Sequence, residues 1–121
     1  MPSHLHMICS TEKGKLRAIV RDFKSYSAKR IISLIEKNPA ESRKEWLLYL
    51  FHFFKQSIRH NKDYQFWQQH NHPVYLYDTK MFQQKVEYIE QNPVVAGLVT
   101  EAAYYTFSSA NPDNLVKLAE V

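Results

Sequence analysis

Four side chains in this sequence have types and spacing suited to metal-assisted phosphoryl chemistry: His4 and His6 near the start, Tyr88 and Asn92 far downstream. His4-Leu5-His6 reads as the opening of a short strand that runs to Cys9. Along a strand the side chains alternate faces with a rise of about 3.3 Å per residue, so both imidazoles would project from one face, roughly 6–7 Å apart, and grip one ion. Any two histidines at i, i+2 meet that condition, and a frayed polar terminus is the plainer reading of the pair taken alone. Tyr88 and Asn92, four residues apart in a helical pattern, share a helix face one turn from each other. Two neutral imidazoles and an amide carbonyl can hold a divalent ion with open positions; the ion polarises a phosphate oxygen while the tyrosine oxygen attacks phosphorus. A free phenol has a pKa near 10, so such a nucleophile needs a base or a nearby cation at neutral pH.

The elements that must position these groups are legible in outline. After a polar turn over 10–15 containing Gly14, apolar residues recur at helical spacing from Leu16 through Phe23 and Ile31 to Ile35, and Asn38-Pro39 stops the pattern. A second helix is predicted from about Ala40 to Ser42 onward through Trp46, Leu47, Leu50, Phe51 and Phe54, fraying around Arg59 to Asn61; its aromatic density marks it as a core element. Asn61-Lys62-Asp63 makes a turn. Tyr64 to Tyr77, rich in aromatics and broken by Pro73, reads as one irregular strand or two short ones. Asp78 or Thr79 caps a third helix from Lys80 to about Gln91, ended by Asn92-Pro93, and the tail after Ala110 has no clear pattern.

Composition narrows the class. At 121 residues the length suits one domain, and 45% hydrophobic and 14% aromatic content with only two glycines argue for a folded protein with long helices. The lone Cys9 has no intramolecular disulfide partner, no signal peptide is recognisable, and no apolar run approaches the roughly 18 residues of a membrane span, which together predict a cytoplasmic protein with no membrane partner. The net charge of +4 conceals an asymmetry: residues 1–62 hold 13 Lys/Arg against 5 Asp/Glu, and residues 63–121 hold 3 against 7. Lys13, Lys15, Arg17, Arg21, Lys24, Lys29 and Arg30 crowd into eighteen residues, a pattern that fits a polyanion partner bound through phosphate contacts, or else simply a solvated helix face.

Taken in order, four blocks resemble the single-tyrosine HUH transposases, in the branch of REP-associated tyrosine transposases. They are Met1-Pro2-Ser3-His4-Leu5-His6-Met7-Ile8, Phe66-Trp67-Gln68, Tyr88-Ile89-Glu90-Gln91-Asn92-Pro93 with the following Val94 to Val99, and Tyr105-Thr106-Phe107-Ser108-Ser109-Ala110. The resemblance implies an α+β fold, an antiparallel sheet packed with helices in the ferredoxin-like HUH arrangement, forming one domain over 1–110 with a tail at 111–121. It implies cleavage and rejoining of single-stranded, hairpin-bearing DNA, with Tyr88 as the nucleophile that forms a 5′-phosphotyrosine. His4, His6 and Asn92 would be the ligands of a divalent metal, magnesium or manganese. Family members carry a strand and a helix ahead of the histidine strand, so the chain is expected to be an N-terminally truncated version, and Ser3 stands where the family has Asn. DNA contacts are expected from Lys15, Arg17, Arg21, Lys24, Lys29 and Arg30 and from Trp67 and Gln68. Tyr64, Phe66, Tyr75 and Tyr77 are further stacking candidates, against ordinary core packing for the same rings. Related enzymes include dimers that share sites across subunits, which admits a homodimer here. The alternative is a catalytically inactive remnant that only binds DNA.

Overall fold

The computed structural model describes residues 3–55, 64–115 and 118–119. Three α-helices dominate: α1 (Leu16–Lys37), α2 (Lys44–Lys55) and α3 (Thr79–Val95), followed by a 3-10 turn at Ala102–Tyr104. The chain divides into two compact units, Ser10–Pro73 and Met1–Cys9 with Val74–Val121. No described helix is long and apolar enough to cross a membrane.

The expected antiparallel sheet is not present: among the described residues there is no strand, and the ferredoxin-like α+β arrangement is overturned by a helical architecture. A strand exists only through the ladder bonds it exchanges with a neighbour. Residues 4–9 have the alternating pattern but make no ladder, and Leu5 and Met7 are exposed. Residues 64–77 fail for a local reason as well. His72 has φ 45°, a left-handed conformation that turns the chain sharply, and Pro73 behind it has no N–H to give a ladder.

In the Ser10–Pro73 unit, α1 packs on α2 around Ile32, 5% exposed. The segment after α2 docks against both helices: the Gln65 amide donates to the Phe51 carbonyl, Phe66 lies 5.2 Å from Phe51 and from Trp67 between ring centroids, and Trp67 lies 6.0 Å from Phe23. The Trp67 indole N–H donates to Ser27 Oγ (3.0 Å), which satisfies the one polar atom of a half-buried ring. Phe66 and Trp67 therefore act in packing here, whereas Tyr75 and Tyr77 are exposed. The second helix begins at Lys44, later than its sequence signal; its expected fraying at Arg59 to Asn61 and the turn at 61–63 lie outside the described residues.

In the other unit, α3 is fixed at both ends. Asp78 is its N-cap and accepts from the Met81 amide at 2.6 Å. The helix does not stop at Asn92-Pro93 but runs to Val95. Pro93 removes a single intrahelical bond so close to the end that the helix survives it, and the stop comes from Gly97. With φ +68°, Gly97 donates to the Val94 carbonyl while Leu98 donates to that of Pro93, a Schellman closure that needs a left-handed residue at this position. Beyond it, Ser109 Oγ donates to Glu90 of α3 at 2.9 Å, and Asn111 Nδ2 donates to the Ala103 carbonyl of the 3-10 turn at 2.7 Å.

Candidate functional site

The unit that contains α3 brings the two histidines and the tyrosine together. His4 and His6 meet edge to face with ring centroids 5.0 Å apart, and His6 meets Tyr88 edge to face at 5.7 Å. With metal–nitrogen distances of about 2.1 Å, two imidazoles at 90–110° around one ion place their centroids roughly 4.5–5.3 Å apart, so the spacing of the pair suits a shared divalent ion. Ser3 Oγ lies 3.2 Å from His4 Nδ1. A partner on one ring nitrogen steadies the ring and leaves Nε2 as the nitrogen free to bind a ligand. Burial of its ring, then the neighbouring His4, pushes the His6 pKa below its ordinary value, which keeps the imidazole neutral and its lone pair available.

Tyr88 is 54% exposed, so its phenol is reachable from solution. Lys85, one turn earlier on α3, sets its Nζ over the Tyr88 ring, 5.6 Å from the centroid. An open depression of about 330 Å³ lies beside the phenol, lined by Gln84, Glu87 and Gln91.

Asn92 stands one turn beyond Tyr88 on the same helix face, as its spacing predicts, inside the helix rather than at its end. Its Nδ2 is buried with no hydrogen-bond partner. A buried amide N–H with no partner is unusual and costs on the order of 1–3 kcal/mol; it is the Oδ1 atom, not this nitrogen, that could act as a metal ligand. Among the described residues no three His, Cys, Asp or Glu side chains come together.

The cationic and aromatic candidates form a separate group in the Ser10–Pro73 unit. Lys15 occupies the N-cap position of α1 without a side-chain cap bond, and Arg17, Arg21 and Lys24 follow at i, i+4, i+7 spacing along one face. Lys29 and Arg30 lie nearer the C-terminal end, Arg30 about 120° round from Lys24. Two of these cations have local partners. Arg21 pairs with Asp22 at 2.8 Å, both well exposed, and Lys24 donates to the Gln68 carbonyl and to Asn71 Oδ1 (2.8 Å). Partial burial pushes the Lys24 pKa down. Lys24 thus anchors the segment carrying Trp67 and Gln68 onto α1. Lys85 carries only a local sequence signal, a lysine three positions before the tyrosine on the same helix face.

Compared with protein-family models, with curated proteins and with solved structures, the chain matches none of them.

Proposed function

We propose that this chain cleaves and rejoins single-stranded, hairpin-bearing DNA through Tyr88, as a tyrosine transposase of the single-tyrosine HUH type. The observation that carries the reading is the meeting of His4, His6 and Tyr88, with Tyr88 about eighty positions away in sequence from the pair it joins.

In this reading the Tyr88 oxygen attacks the scissile phosphorus. Its bond to phosphorus forms as the bond from phosphorus to the 3′ oxygen breaks; the phenol proton leaves to water and the departing oxygen is released as a 3′-hydroxyl. One phosphodiester is exchanged for another, so no nucleotide cofactor is required. A divalent ion, magnesium or manganese, held by His4, His6 and Asn92 would supply polarisation of a phosphate oxygen. His6 contributes a neutral imidazole kept so by burial, and it packs edge to face against the Tyr88 ring. The basic residues of α1, Lys15, Arg17, Arg21, Lys29 and Arg30, support binding to a DNA backbone, with an affinity that falls as salt rises. In this role Lys24 and the Trp67-Gln68 pair act indirectly, by holding that surface in shape.

The test is incubation with a labelled single-stranded hairpin and Mg²⁺ or Mn²⁺, followed by a denaturing gel. Wild type is expected to give a protein–DNA adduct that Tyr88→Phe eliminates. Absence of an adduct from wild type would falsify the enzymatic reading, and binding retained in that case would favour a non-cutting DNA-binding remnant.

A further inference from the structure

We propose that Lys85 holds the phosphate that Tyr88 attacks, a role that rests on the strand-transfer reading above. The half of the chain that contains Tyr88 is acidic: residues 63–121 carry Lys80, Lys85 and Lys117, with no arginine, against seven Asp and Glu. A polyanion approaching Tyr88 therefore meets a repulsive background, made sharper by Glu87 on the wall of the adjoining depression. Lys85 is a cation set directly against the tyrosine in that background. Its ammonium lies over the Tyr88 ring at 5.6 Å from the centroid, its stem is half-buried, and it forms no salt bridge among the described residues, where the ion pairs are Arg21–Asp22 and Arg43–Glu41.

The position suits the task. Lys85 precedes Tyr88 by three residues, so one helix face presents the nucleophile and the cation together. The depression beside the phenol has room for a phosphate and its sugar, and its Gln84 and Gln91 amides bring neutral donors to the same wall. A phosphodiester carries one negative charge and the five-coordinate transition state a second, so a fixed ammonium stabilises the transition state more than the ground state. Lys85 donates hydrogen bonds to the non-bridging oxygens and exchanges no proton. Its role as a phosphate-binding cation does not depend on a metal.

The experiment compares Lys85→Gln and Lys85→Arg in two assays. In the hairpin adduct assay, Lys85→Gln is expected to slow adduct formation by about 100-fold, while Lys85→Arg recovers most of the rate. In the second, carried out in EDTA with Tyr88→Phe as background so that no cleavage or metal intervenes, the salt dependence of hairpin binding is measured; loss of one phosphate contact should lower the slope of log K against log salt by about 0.7. A Lys85→Gln variant with wild-type rate and unchanged slope overturns the proposal, as does a Lys85→Arg variant as slow as Lys85→Gln, which would mean packing against Tyr88 is what matters. Should wild type form no adduct at all, the strand-transfer reading fails, and the salt slope still decides whether Lys85 meets a phosphate.

Discussion

Tyr88 and Asn92 are positioned by a helix capped at both ends, whereas His4 and His6 sit on a segment with no helical or ladder bonds. On α3 the backbone alone sets the one-turn separation of the phenol and the amide. On the histidine side the arrangement rests on side-chain contacts: the edge-to-face rings and the Ser3 hydroxyl. A site of this kind has one rigid wall and one wall whose order depends on what the imidazoles touch. Ligand binding is then expected to order the histidines far more than the tyrosine.

Hydrogen exchange gives the largest expected effect. Amides of Leu5 to Cys9 should exchange at least about 100-fold faster than those of Phe82 to Ile89, equivalent to about 2.7 kcal/mol of difference in opening energy. Equal protection in the two stretches would remove the contrast, since it would require partners for the histidine segment's backbone.

A smaller effect is expected from Gly97→Ala. An added Cβ would meet no atom within 4 Å, so the cost is the left-handed backbone alone, about 1–2 kcal/mol, read as a lower urea midpoint for α3. A neutral substitution would mean that the Schellman closure does not hold the tyrosine wall, and the distinction between the two walls would blur.

The smallest effect is a pH dependence. The pKa of His6 is lowered from 6.5 in the folded chain, so below that pH the unfolded chain binds more protons than the folded one. Stability conferred by neutral His6 is present above pH 6.5 and is lost as the pH falls through the lowered folded value. Thermal melts in EDTA should show this acid-side loss in wild type, and His6→Gln should abolish it. A His6→Gln variant with the wild-type profile would assign the acid sensitivity elsewhere.

Much of the helical frame was legible because its signals are local. The apolar spacing over Leu16–Lys37 and the Asp78 cap each act within a turn or two of chain. Asn92-Pro93 reads as a stop before the true end of α3, and only the hydrogen bonds around Gly97 show which residue closes the helix. The sheet was misread for a deeper reason. Alternation at residues 4–9 says which faces a strand would have, but a strand also needs a neighbour, and alternation carries no information about one. Within the site, the spacing of Tyr88 and Asn92 and of His4 and His6 was legible as two separate pairs. Their meeting is tertiary, and so is the commitment of Lys24 to Gln68 and Asn71, which no charge pattern reveals.

Both tryptophans of the chain, Trp46 and Trp67, belong to the Ser10–Pro73 unit, and the unit with the histidines and Tyr88 has none. Trp46 is 57% exposed, while the Trp67 indole is hydrogen-bonded to Ser27 and half-buried. Intrinsic fluorescence excited at the tryptophan band is therefore a reporter of one unit only, with a red-shifted, readily quenched emitter beside a more sheltered one. An optical probe placed at the tyrosine site itself has to come from tyrosine or from a label introduced near α3.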